Sequence, residues 1–135
     1  MQLNLQKPIV FFDLETTGVD VVKDRIIEFS FVKIMPDGSE KVWTDRINPS
    51  MKIPAFTTGI HGITDDDVKD KPTFSEVARR ISDFIDGCIL AGYNSNKFDI
   101  PMLAEELLRA GIDKDLKKQP FIDVQTIFHK MEQRT

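Results

Sequence analysis

The stretch VFFDLETTG, residues 10–18, constrains this chain more than any other. A run of apolar, strand-favouring residues reads as a buried strand, yet it closes on two carboxylates, Asp13 and Glu15, two positions apart. Successive strand side chains point to opposite faces, so Asp13 and Glu15 share one face and Leu14 takes the other. Two like charges that close repel each other and give up hydration beside a core. A fold accepts such a pair where a divalent cation sits between the two, and all-oxygen donors suit magnesium or manganese. A solvated corner between strand and loop is the other reading of the same acids. Gly18 is read as allowing the sharp turn that opens the strand end to solvent.

The rest of the chain supplies the frame for that strand. RIIEFSFVKI alternates, and Asp37-Gly38 in the following PDGSE signals a hairpin that returns through KVWTDRIN. Residues 49–63 read as a loop punctuated by proline and glycine, and Thr64 followed by three aspartates reads as the start of a short helix. In TFSEVARRISDFIDG the apolar stripe of Phe74, Val77, Ala78, Ile81, Phe84 and Ile85 predicts a helix, with Thr73 and Glu76 at capping-box spacing and Gly87 as a stop. CILAGYN reads as another buried strand. DIPMLAEELLRAG reads as a second long helix, with Pro101 near its start and Gly111 past its end. PFID is a short strand, and a third helix is expected from Asp123, with Val124, Ile127, Phe128 and Met131 at helical spacing. Three meander strands followed by alternating helices and strands predict an α/β fold around one mixed sheet, in a single domain over residues 1–135.

Composition narrows the function. Hydrophobic residues make up 41% of the 135, enough for a packed core. No apolar stretch reaches bilayer length, so no membrane partner is expected. A net charge of −4 argues against holding nucleic acid by bulk positive charge, but is compatible with an acidic site neutralised by metal. The single cysteine, Cys88, excludes an internal disulfide framework, and with no secretory signal at the N-terminus it fits a cytoplasmic setting.

Two further segments carry candidate chemistry. In GYNSNKFDIP, Asp99 stands where a strand gives way to a helix. It is either an N-cap or, if the strand neighbours the first, a third carboxylate converging on Asp13 and Glu15. Phe98 before it is either a core anchor or a wedge that stacks on a base. In TGIHGITDDD, His61 lies among two glycines and two isoleucines, as a surface residue or one with a specific role.

Taken together, FFDLETTG, HGIT and NSNKFD resemble the DEDD exonucleases. More narrowly, they are similar to the DnaQ-like group that includes proofreading epsilon subunits of bacterial DNA polymerase III, over essentially the whole chain. The resemblance implies a ribonuclease H-like fold and hydrolysis of nucleotides from the 3′ end of single-stranded DNA or RNA, with two divalent cations, Mg2+ or Mn2+. The implied partners are 3′ ends and a DNA polymerase, in proofreading or repair. Carried over, Asp13 bridges both metals, Glu15 binds one, and Asp99 completes the second carboxylate motif. Leu14, Thr16, Thr17 and Gly18 fall around the terminal nucleotide, His61 and Ile63 on its base or sugar, and Asn94 and Phe98 near the penultimate nucleotide.

The chain also departs from that family. Its third motif, His-x-Ala-x-x-Asp, is not matched, since His129 is followed by Met131 and Arg134 at the spaced positions. Asp123 is a poor substitute, because a helix N-cap is wanted there. The resemblance therefore implies a domain incomplete at its C-terminus, a weak second metal site and little activity in this form. A non-catalytic nucleic-acid or polymerase-binding module on the same fold is the alternative, disfavoured because clustered acids beside phosphate would not serve it.

Overall fold

The computed structural model describes residues 6–92 and 98–124. Strand β1 (Ile9–Thr16) lies at the centre of a five-stranded mixed sheet. On one side it pairs antiparallel with β2 (Ile26–Ile34), which pairs antiparallel with β3 (Glu40–Arg46). On the other it pairs parallel with β4 (Ile89–Gly92), and β4 pairs parallel with β5 (Phe121–Asp123), giving the order β3-β2-β1-β4-β5. The hairpin turns at Asp37-Gly38 as expected: Gly38 takes φ 88°, and the Asp37 carboxylate accepts from the Ser39 backbone and hydroxyl.

Between β3 and β4 run α1 (Ala55–His61), α2 (Asp65–Val68) and α3 (Phe74–Ile85); α4 (Asp99–Arg109) follows β4. The predicted stripe of α3 is buried except for Phe84, which is half-buried against the core, and Gly87, at φ 70°, lies just past its end. α4 closes at Gly111, φ 84°, whose neighbour Ile112 donates back to the Leu107 carbonyl. Both long helices pack on the sheet face that carries Val10, Phe12, Leu14, Phe29 and Phe31, forming the main core. Among the described residues no helix is long and apolar enough to cross a membrane.

Three expectations need correction. Residues 49–63 are not all loop, because α1 occupies Ala55–His61. Pro54, with φ already at −60°, precedes its first turn and Gly62, at φ 76°, closes it. The capping box is formed by Thr64 and Asp67, not by Thr73 and Glu76. Aspartate at the third helical position is short enough to reach the Thr64 amide at 2.9 Å, whereas the Thr73 hydroxyl meets the Glu76 carboxylate itself. Asp123 ends β5, and Val124 directly after it is helical, where the third helix was expected to start. The alternation of β2 is broken by an irregularity opposite Glu15 and Thr16, where Thr16 pairs with Ile26 but Glu15 with Glu28. Strict alternation would put Ile26 on the Glu28 side of the sheet. The extra residue instead sends Ile26 into the main core and Ile27 into a second cluster with Ile53, Ile63 and Val68. The remainder of the expected third helix lies outside the described residues.

Candidate active site

The site starts from β1. Its burial alternates as period 2 requires: Asp13 is exposed, Leu14 buried and Glu15 half-buried. Both carboxylates therefore leave the sheet face opposite the main core, at the carboxyl end of the central strand. Glu28, directly across from Glu15 on β2, adds a third acid to that face. Arg46 on β3 partly offsets it, with Nε 3.6 Å from the Glu28 carboxylate. The sequence left Glu28 unmarked as a site neighbour. Its strand parity was readable, but the register that places it opposite Glu15 was not.

On the β1 side Asp13 and Glu15 stand together as like charges. Burial, then the neighbouring Asp13 and, more weakly, Glu28 push the Glu15 carboxyl above its ordinary range, while His61 pulls it down. A hard divalent cation is what such an oxygen donor set fits. No group of three or more His, Cys, Asp or Glu side chains is gathered at metal-holding distance among the described residues. Asp99 opens α4 as its first residue, with Phe98 in the cap position. The parallel pairing of β1 with β4 puts the carboxyl end of β4, at Gly92, on the same sheet end as Asp13 and Glu15. Asp123 ends β5 at this same end, one strand further out.

The turn after β1 is built around one carboxylate. Asp24 accepts from the Thr17 hydroxyl at 2.8 Å and from the Asp20 amide at 2.8 Å. Thr17 in turn accepts from the Arg25 amide at 3.0 Å. Gly18 packs against the same carboxylate, and a Cβ there would stand 2.5 Å from Asp24 Oδ2. This corrects the expected role of Gly18. Its φ is not positive, and what position 18 lacks is space for a side chain, not conformational freedom. Asp24 is short and held by two donors, so it cannot swing aside cheaply. Gly18→Ala is expected to cost about 1–3 kcal/mol in urea unfolding. In an Asp24→Ser background the same substitution should cost far less, and equal costs in both backgrounds would refute the steric account.

His61 reaches the strand end from α1. Its Nδ1 accepts from the Ile63 amide at 3.1 Å, so a neutral ring carries its proton on Nε2, 3.3 Å from the Thr16 carbonyl oxygen. His61 is thus the last residue of a short helix and sits at the rim of the acid pair, not in an open loop. Thr16 and Gly18 are half-buried on that rim. Leu14, Thr17 and Ile63, expected around a terminal nucleotide, have buried side chains: Leu14 in the main core, Ile63 in the second cluster, and Thr17 in the Asp24 network. What these three can offer a nucleotide is backbone. Phe98 is half-buried against the main core, which suits an anchor. Asn94 lies outside the described residues. An open cleft of about 460 Å³ begins beside Asp13, floored by Phe11, Val32 and Ser30, a volume in the range of small-molecule sites.

A family profile described as Exonuclease, RNase_T, matches residues 10–134. The DNA polymerase III epsilon subunit of Treponema pallidum is 38% identical over 109 residues, covering 81% of this chain and 47% of the relative. The PolC-type DNA polymerase III of Caldanaerobacter subterraneus is 32% identical over 111 residues, covering 82% of this chain and 8% of that one. The chain thus spans less than half the length of either relative. Among solved structures, E. coli exonuclease I in complex with a dA16 oligonucleotide superposes with a TM-score of 0.82 at 19% identity, covering 94% of this chain and 30% of that one. At that identity the likeness is one of fold, and it bears out the ribonuclease H-like α/β architecture expected from the sequence.

Proposed function

This chain belongs to the RNase_T exonuclease family, and we propose that within its complete protein it hydrolyses nucleotides from the 3′ end of single-stranded DNA with the help of two divalent cations. The observation that carries the reading is the pair Asp13 and Glu15, held as like charges on one face at the end of the central strand. Asp13, Glu15 and Asp99 are the residues that would hold the metals. When bound, two such ions activate the attacking water and stabilise the departing 3′ oxygen.

The protein's own contribution is placement. β1 fixes the two carboxylates by its pleat, and the Asp24 network fixes the backbone of residues 16–18 where a terminal nucleotide would lie. His61 ties α1 to the Thr16 carbonyl and closes one side of the site. Phe98, half-buried at the cap of α4, is the ring on which a base would stack. Single-stranded DNA as substrate is supported by the fold shared with an exonuclease I bound to an oligonucleotide, and a polymerase partner by the polymerase III relatives. A cytoplasmic setting is supported by Cys88, a lone buried thiol without a disulfide partner.

The test is digestion of a 5′-labelled single strand by the complete protein in Mg2+ or Mn2+. A ladder shortening stepwise from the 3′ end, abolished by chelator, is the expected result. Internal cuts, release of the 5′ label first, or no cleavage with metal present would each overturn the proposal.

A further inference from the structure

The least exposed charged side chain among the described residues is not at the acid pair but on α4. The Glu106 side chain is 4% exposed. Its Oε2 accepts from the Ile26 amide at 3.1 Å, where the alternation of β2 breaks. Its Oε1 lies 3.3 Å from Arg109 Nε, which forms no directed hydrogen bond, so this contact is an attraction between charges. Arg109 then spends its other nitrogens on the turn after β1. Nη1 donates to the Val22 carbonyl at 3.1 Å, and Nη2 to the Val21 and Asp24 carbonyls at 3.2 and 3.3 Å.

Two side chains one helical turn apart thus satisfy four backbone groups of residues 21–26. Burying a glutamate is costly, and burial does push its carboxyl above the ordinary range, with the Ile26 amide and Arg25 pulling it back. A buried ion pair is weak evidence for stability, because well-packed apolar residues do as well or better. Apolar residues here, however, would leave the buried Ile26 amide without its acceptor and the Val21 carbonyl without its donor, while the Val22 and Asp24 carbonyls would keep Arg25 Nη1 alone.

We propose that Glu106 and Arg109 are positioning residues of the active site, a latch that holds the carboxyl end of β1 in fixed relation to α4. The chain of contacts is continuous. α4 begins with Asp99, Arg109 grips the backbone of the turn, Asp24 in that turn accepts from Thr17 and lies against Gly18, and Thr16 alone separates Thr17 from Glu15. The latch thereby sets how far the carboxylate on the helix stands from the two on the strand. This rests on the proposed metal-dependent activity.

The experiment compares wild type, Glu106→Gln and Glu106→Ala in the complete protein. It measures Mn2+ affinity without substrate, kcat and KM on a single-stranded oligonucleotide, and thermal melting. Misplacing catalytic groups by about 1 Å can cost about 10²-fold even when the change lies far from the chemistry. Glu106→Ala should therefore weaken Mn2+ binding and lower kcat by about that factor, well below its melting temperature and with KM little changed. Glu106→Gln keeps an acceptor for the Ile26 amide and should restore most of both. If Glu106→Ala only melts earlier, with Mn2+ affinity and kcat at wild-type values, the latch is merely structural and the inference fails while the functional reading stands. If the wild-type protein itself neither binds Mn2+ nor cleaves, the functional reading fails and the inference falls with it.

Discussion

Asp13→Asn is expected to reduce 3′-end hydrolysis by the complete protein at least about 10²–10³-fold, because a metal clamp contributes several kcal/mol to the transition state and each 1.36 kcal/mol is tenfold. The amide keeps the shape of the side chain and removes the charge that makes it a cation ligand. The same substitution should not unfold the protein. Asp13 is exposed at a strand end, and its charge raises the proton affinity of Glu15. A carboxyl with a raised folded pKa contributes stability that is present at low pH and lost as pH rises through that pKa. Charged Glu15 therefore opposes folding at neutral pH, and removing Asp13 relieves part of that opposition. Without metal, Asp13→Asn should melt slightly later than wild type near pH 7, and the difference should vanish as the pH falls below the carboxylate range. With millimolar Mn2+ the order should reverse, since only wild type gains ligand stabilisation. Near-normal turnover, or no reversal with Mn2+, would remove Asp13 from the site.

This prediction rests on a feature that was legible in the sequence. A strand has period 2 whatever surrounds it, so the shared face of Asp13 and Glu15 followed from the count alone. The long helices were legible for a like reason: Val77, Ile81 and Ile85 recur at helical spacing and are buried at that spacing. α1 was not, because its large apolar residues point outward. Phe56 is 80% and Ile60 70% exposed, so no buried stripe distinguishes the helix from a loop.

The supporting structure of the site was less legible still. Glu106 and Ile26 are joined across 80 positions, and Glu106 in AEELLRAG reads as an ordinary polar residue on a helix. Ile26 and Ile27 are adjacent apolar residues, so their sequence is the same whether or not the strand bulges between them. Gly18 looked like a turn residue because glycine near a strand end usually is one. Only the position of Asp24 shows that it is a residue without room for a side chain.

Phe31→Ala is expected to have the largest effect on stability, about 3–5 kcal/mol, out of a total near 5–15 kcal/mol for a domain of this kind. Phe31 is fully buried on β2. Its ring lies 5.0 Å from Phe29, 5.7 Å from Phe84, 6.1 Å from Trp43 and 6.4 Å from Phe12, centre to centre. These partners come from β1, β2, β3 and α3, so one ring joins three strands to the helix that covers them. Truncation to alanine removes both the buried area and the shared contact, and four large rings cannot all move inward to fill the space. Phe56→Ala, on the exposed face of α1, should change stability by less than about 0.5 kcal/mol, although it deletes the same atoms. Urea unfolding of the two variants with a common slope gives the comparison directly. A loss below about 1 kcal/mol for Phe31→Ala would mean that the sheet and α3 are held elsewhere, and the strand carrying Asp13 and Glu15 would then need another explanation for its fixed position.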